Sequence, residues 1–302
     1  MSDTEHAVTS RYTNPGAEKW LDNPIACLDH GFVMLKDYMG GDESIVQAAR
    51  VSYGRGTKHS SSDKALIDYL LRHRHTTPFE MVEFKFLAKM PIFVARQWIR
   101  HRTASVNEMS ARYSVMEDDF FVPAPEELRF QSTTNRQGGS ADEVPPELAQ
   151  KVADILRRGT ERTYAEYSEM IEQDIARELA RIHLPISLYT QWYWKIDLHN
   201  LMHFLSLRME AHAQREIRVF ADAMAQIVRD AVPWSWEAFE EYNLGATYLG
   251  KSESEVIGAL LRGENVTALP TPIAKGGRRR EFEEKLRSFG IDPEKALPPI
   301  VE

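Results

Sequence analysis

Apolar positions along the chain change period several times, and each change marks an element. Ile25 to Lys36 alternates and reads as a strand, with Gly31 allowing a turn or bulge. Ser44 to Val51 is short and helical. Leu66, Ile67, Leu70 and Leu71 follow helical spacing within Ser62–His73. Pro78 stops that helix, and Met81 to Met90 (MVEFKFLAKM) returns to strand alternation. Pro91 then stands where a first helical turn begins. The segment PIFVARQWIRHR continues as a helix with Ile92, Phe93, Ala95, Ile99 and Trp98 turned inward, fading near Thr103.

The polar stretch 131–146 (QSTTNRQGGSADEVPP) reads as an exposed loop. Leu148 to about Met170 is a long helix, Pro185 opens a short one, and Asp197 to Val232 reads as a long helical stretch before Pro233. Trp234 to Tyr242 adds a last apolar helix. Strands early and helices late give an α+β expectation. The expected organisation is a polar, loosely ordered arm over 1–24, a catalytic domain over 25–242, and an extension over 243–302 with one short helix, EFEEKLRSF.

Charge sharpens the picture. The formal net charge is -8, yet Arg96, Arg100, Arg102 and Arg112 crowd around RHRTASVNEMS (100–110), with His101 and a single acid, Glu108. Arginine offers a permanent planar fork suited to phosphate and carboxylate, so the stretch points to a small, multiply charged anion. An acidic chain is a poor coat for nucleic acid, which needs an extended basic surface. No window supplies the ~20 apolar residues of a membrane span, and the N-terminus has no signal-peptide pattern. One cysteine, Cys27, sits in a strand as a small buried hydrophobe, and its solitude fits a reducing cytoplasm.

A second cluster, Asp197, His199 and His203, has the i, i+4 histidine pair of a metal site but no HExxH, so no metal is expected. Arg208, His212 and Arg215 follow it. A third group, Ser52, His75, Thr77 and Glu80, lies at element ends where backbone donors are free. No GxGxxG or GxxxxGKS loop and no GxSxG elbow is present. On the residues alone three readings stand: an anion-binding enzyme, a metal-dependent nucleotide phosphohydrolase, and a non-enzymatic RNA-binding protein.

The residues also match a family. RHR, seven residues, then Ser (Arg100, His101, Arg102, Ser110) resembles the signature of flavin-dependent thymidylate synthases, the ThyX family. AARVSYG at 48–54, HTTPFE at 75–80, PIFVARQWIRHR at 91–102, ARIHLP at 180–185, LMHFLSLR at 201–208 and HAQREI at 212–217 look like further family blocks, in family order. The resemblance implies reductive methylation of dUMP to dTMP. Methylenetetrahydrofolate would supply the one-carbon unit and FAD, reduced by NADPH, the hydride. It implies a central mixed or antiparallel sheet flanked by long helices, in a homotetramer with active sites between subunits.

By the same resemblance dUMP would meet Gln97, Arg100, Glu108, Met109, Ser110, Ala111, Arg112, Arg181 and Arg208. Arg208 would activate the uracil ring in place of a cysteine nucleophile. FAD would meet Ser52, Thr77, Arg100, His101, Arg102, Thr103, Glu108, Asp197, His199 and His203. His75 would lie against the flavin and His212 near the cofactor pocket. Ser110, without a His/Asp partner pattern, reads as a positioning hydroxyl. Some relatives carry Asn, Arg and Asn where this chain has Asp197, His199 and His203.

Overall fold

The computed structural model describes residues 11–51, 62–132 and 138–299. They divide into two compact units, Met1–Leu244 and Gly245–Glu302. The first opens with α1 (Pro15–Glu18), β1 (Ile25–Cys27), β2 (Gly31–Met39), α2 (Asp42–Arg50) and α3 (Asp63–Arg72). A 3-10 turn, Thr77–Met81, leads into β3 (Glu83–Pro91), α4 (Ile92–Trp98) and β4 (Ser105–Glu108). A hairpin of β5 (Arg129–Gln131) and β6 (Gly139–Glu143) precedes α5 (Pro146–Glu172) and α6 (Arg177–Ala180). Then come β7 (Tyr189–Asp197), α7 (Leu198–Arg208), α8 (Arg215–Ala231) and α9 (Pro233–Phe239).

Five strands form one sheet in the order β1-β2-β3-β7-β4. Every pairing between these strands is antiparallel, so the mixed alternative gives way. The central partner of β3 is β7, a strand the expected helix at Pro185 had displaced. Pro185 instead opens a turn, closed by Leu188 N–H on the Pro185 carbonyl at 3.1 Å. The carbonyls of Ile186 and Leu188 are engaged by the first N–H groups of α4, from Phe93 and Ile92. A helix there would withdraw those acceptors. Beyond the turn, YTQWYWKID alternates, burying Thr190, Trp192, Trp194 and Ile196 on one face.

That face carries the core. Trp98 at the end of α4 meets Trp192 at 5.5 Å edge-to-face, Trp194 at 5.2 Å, and Phe204 of α7 at 5.2 Å. Helix α8 adds Ile217, Phe220, Ala221, Met224, Ile227 and Val228, an i, i+3, i+4 stripe that is buried throughout. Burying each of its larger side chains contributes roughly 1.5–3 kcal/mol.

Five further expectations change. Val94, Ala95 and Trp98 are the inward residues of α4, while Ile99 is 41% exposed. That helix ends at Trp98 rather than Thr103, because the chain turns to lay down β4. The single stretch Asp197–Val232 is two helices, broken at 209–214 without Gly or Pro. There Glu210 accepts from the His212 backbone N–H at 2.9 Å and Arg218 reaches the Ala211 carbonyl at 3.0 Å. The arm is anchored over its described residues: Asn14 caps α1 and donates to the Ala231 carbonyl at 2.7 Å, and Trp20 Nε1 donates to Asp230 at 2.8 Å. The segment 245–302 holds three helices, α10 (Lys251–Leu261), α11 (Gly277–Ser288) and α12 (Pro293–Ala296). They surround a core of their own, Val256, Ile273, Phe282, Leu286 and Leu297. Among the described residues no helix is long and apolar enough to cross a membrane.

Asp42, 4% exposed, joins two helices of the first unit. It opens α2 and accepts from Trp234 N–H at 2.8 Å, Ser235 N–H at 3.1 Å and Ser235 Oγ at 2.6 Å at the start of α9. Burial raises its pKa, and the three donors only partly counter it. Asp42→Ala leaves three donors unmet, two of them buried, and should cost about 1–3 kcal/mol in urea unfolding, whereas an unchanged midpoint would dismiss the bridge as a stabilising feature.

Candidate active site

The arginine-rich stretch divides into three structural pieces. After Trp98 the chain tightens, with His101 N–H on the Trp98 carbonyl at 3.0 Å. Arg100 to Ala104 form an irregular turn, and Ser105–Glu108 become the edge strand β4, with Glu108 opposite Trp192. Met109 N–H donates to the Gln191 carbonyl at 2.9 Å, and the segment 109–114 then curls away from the sheet.

That curl walls a cavity of about 410 Å³. Glu108, Met109, Ser110, Ala111, Arg112 and Arg181 line it, with Ile92, Met116, Leu184, Leu188 and Thr190. Arg112 Nε donates to Ser110 Oγ at 3.2 Å. Thr190 Oγ donates to Glu108 Oε1 at 2.6 Å. Two tyrosines of α5 fix the far wall: Met116 N–H donates to Tyr167 Oη at 3.1 Å, and Tyr164 Oη donates to the Met116 carbonyl at 3.0 Å. Apolar walls, two exposed guanidiniums and one restrained carboxylate suit a flat polar ring carrying an anionic group.

Gln97, Arg100 and Arg208 do not line that cavity. Gln97 pairs with Gln214, just before α8. Arg208, at the end of α7, donates its Nε–H to His101 Nε2 at 3.1 Å. Burial lowers the Arg208 pKa from its ordinary value. Burial, then the charges of Arg208 and His203, push His101 down to about 4. His101 is therefore a neutral ring whose Nε2 accepts from Arg208, which leaves its proton on Nδ1. The ring packs edge-to-face on Phe204 at 4.9 Å.

A third feature is a groove of about 960 Å³ lined by His75, Thr77, Pro78, Met81, Leu66, Leu70 and Tyr69, among others. Tyr69 lies 6.0 Å from the His75 ring, and His75 N–H is held by the Leu70 carbonyl at 2.8 Å. Asp197 caps α7, accepting from Asn200 N–H at 2.9 Å and Asn200 Nδ2 at 2.7 Å. His199 is partly exposed and His203 exposed on that helix. Arg102 and Thr103 are exposed in the turn after α4. His212 Nδ1 meets Glu210 at 2.5 Å. Ser52 lies outside the described residues. Among the described residues no group of three or more His, Cys, Asp or Glu is placed to hold a metal ion. Cys27, whose thiol burial pushes up to about 12, lies in β1 and lines none of these cavities.

Residues 34–234 match the family profile described as "Thymidylate synthase complementing protein". A flavin-dependent thymidylate synthase of Rickettsia conorii is 50% identical over 297 residues, covering 94% of this chain and 100% of that protein. One from Gluconobacter oxydans is 52% identical over 284 residues, 93% of this chain and 92% of that protein. The chain belongs to the flavin-dependent thymidylate synthase family.

Among solved structures, the UMP/dUMP methylase PolB from Streptomyces cacaoi bound with 5-Br UMP is 35% identical, with a TM-score of 0.66. It covers 72% of this chain and 98% of its own. The 94% match leaves too few residues unmatched to exclude the Gly245–Glu302 unit, so the Rickettsia conorii protein matches at least part of that extension. Sequence reasoning missed Thr190, Tyr164 and Tyr167. Thr190 left a signal, as the one hydroxyl on the otherwise apolar stripe of β7.

The His101 geometry has a pH signature. Its folded pKa lies below the ordinary 6.5, so the unfolded chain takes up the proton first as pH falls. The stability it contributes is complete above about 6.5 and is lost as pH falls towards about 4. Imidazole NMR of the ligand-free protein should find His101 neutral at pH 5.5 and Arg208→Ala should move its titration upward; an ordinary midpoint in the unmodified chain would refute the pairing.

Proposed function

We propose that the chain catalyses reductive methylation of dUMP to dTMP in the cytoplasm, and that its site is completed between subunits of a homotetramer. The observation that carries the reading is the cavity at Glu108–Arg112. It is lined by six of the nine residues expected at the nucleotide, including two guanidiniums, Arg112 and Arg181, of the kind a phosphate dianion calls for.

FAD, reduced by NADPH, would supply the hydride, and methylenetetrahydrofolate the carbon. The residues present suit such groups. The His75–Thr77 groove offers Tyr69, Pro78, Leu66 and Met81 as flat and apolar surface for a fused ring. Arg100 and Arg102 are exposed donors for a pyrophosphate, and the Nδ1–H of neutral His101 is a donor beside them. Thr103, His199, His203 and His212 belong to the same cofactor assignment, as does Ser52. Asp197 contributes by capping the helix that carries both histidines and Arg208.

Arg208 is the proposed activator of the uracil ring. Its Nε is committed to His101, so the two Nη groups remain to meet the N3–C4 edge, where negative charge develops as C5 becomes nucleophilic. Partial burial strengthens that interaction relative to water. His101 remains neutral and so adds no positive charge that would repel the guanidinium. Ser110 holds Arg112 at the phosphate end, and Gln97 and Met109 complete the nucleotide contacts. The cavity, the His101–Arg208 pair and the His75 groove are separate features of one chain, which suits assembly of each site from more than one subunit. Residues 25–242 form the catalytic domain in this reading and 243–302 its extension.

The purified protein should be yellow, release FAD on denaturation, and form dTMP from dUMP, methylenetetrahydrofolate and NADPH. Arg208→Ala should lower turnover by about 10²–10³-fold while FAD stays bound, the loss typical of one charge-stabilising donor. Undiminished turnover in that variant would remove Arg208 from the chemistry. A colourless protein that binds RNA in a salt-sensitive way without turnover would replace the enzyme reading altogether.

A further inference from the structure

Strand β7 turns Thr190, Trp192, Trp194 and Ile196 to one buried face. Thr190 is 3% exposed and carries the one hydroxyl of that stripe. Valine has nearly the same shape and suits a strand equally well. A buried hydroxyl costs free energy unless it is hydrogen-bonded, so a threonine here calls for a partner. The sheet register supplies it. Glu108 of β4 stands opposite Trp192, which makes Thr190 its diagonal neighbour on the same face. Their oxygens are 2.6 Å apart. An ionised carboxylate has no proton to give, so Thr190 is the donor in a short, charge-assisted bond.

We propose that Thr190 is a positioning residue for the nucleotide: its hydroxyl fastens one oxygen of Glu108 at the cavity wall. The inference rests on the reading of that cavity as the dUMP site. The tie has two consequences. It pre-orders an exposed, rotamer-rich side chain on an edge strand, so less freedom is lost when nucleotide binds. It also holds the cavity's one carboxylate away from its two guanidiniums. Among the described residues neither Arg112 nor Arg181 forms an ion pair with a carboxylate, and Arg112 is held by Ser110 Oγ instead. Freed from Thr190, Glu108 would compete with the phosphate for those cations. Only Oε1 is engaged, so Oε2 remains to accept from a ring N–H or a sugar hydroxyl.

The test uses the full-length, FAD-loaded enzyme with dUMP as the probe. Thr190→Val should raise the dUMP KM about five- to tenfold, the scale of one side chain left to be ordered on binding, and change kcat at saturation by less than about twofold. Thr190→Ser keeps the hydroxyl and should recover most of the affinity. Thr190→Val combined with Glu108→Ala should bind dUMP no worse than Glu108→Ala alone, because loss of the carboxylate already removes the contact. Thr190→Ala replaces the valine variant if that protein does not accumulate.

A melting temperature that falls while KM stays put, equal impairment by valine and serine, or additive effects in the double variant would overturn the proposal. If Glu108→Ala raises KM and Thr190→Val does not, this inference alone fails. If Glu108→Ala leaves dUMP binding unchanged, the nucleotide assignment of the cavity fails and takes the inference with it.

Discussion

The register of β7 on β3 is the constraint on which the rest of the structure depends. Nine consecutive pairs run from Glu83 opposite Asp197 to Pro91 opposite Tyr189. One end of β7 delivers Thr190 to Glu108 through the edge strand β4. The other end delivers Asp197, which caps α7 and so sets where Arg208 meets His101. A slip of one residue would turn Trp192 and Trp194 outward and Thr190 with them. The packing of Trp98, Trp192, Trp194 and Phe204 opposes that slip, since all four rings are buried against one another on that face. The same cluster that stabilises the fold therefore fixes both polar ends of one strand.

Charge is distributed by a second rule. Surface lysines are largely matched, as in Lys89 with Asp119, Lys85 with Asp37 and Lys195 with Glu83. Such exposed pairs contribute little individually. Among the described residues the arginines that line the Glu108–Arg112 cavity form no ion pair with a carboxylate, and the one acid beside them is held by a threonine. Where two basic side chains meet, at His101 and Arg208, burial and proximity force the weaker base to give up its proton. An acidic chain can thus maintain a cationic site, because the restraint is local and made by hydrogen bonds.

Much of this was legible in the chain. RHRTASVNEMS pointed to an anion-binding stretch, and Glu108 to Arg112 with Arg181 do line one cavity, although 180–185 is far away in sequence. Helices α3 and α5 followed their apolar periodicity closely. The misreadings share a cause. The strand β7 was hidden because its aromatic run follows a proline that resembles a helix start, and its ladder partner β3 lies about a hundred residues earlier. The break between α7 and α8 carries no Gly or Pro because Glu210 and neighbouring carbonyls make the turn. The anchoring of Asn14 and Trp20 depends on Ala231 and Asp230, partners that local pattern cannot reveal.

By itself the sequence determined the family, the kind of ligand, and most elements whose periodicity is local, because residue chemistry and short-range spacing suffice for those. Only the tertiary structure decided the antiparallel order of the sheet, the neutral state of His101 and the tie between Thr190 and Glu108. Each of these depends on groups that meet across the fold. Desolvation and cross-strand register exist only once the chain has closed on itself, so no window of sequence contains them.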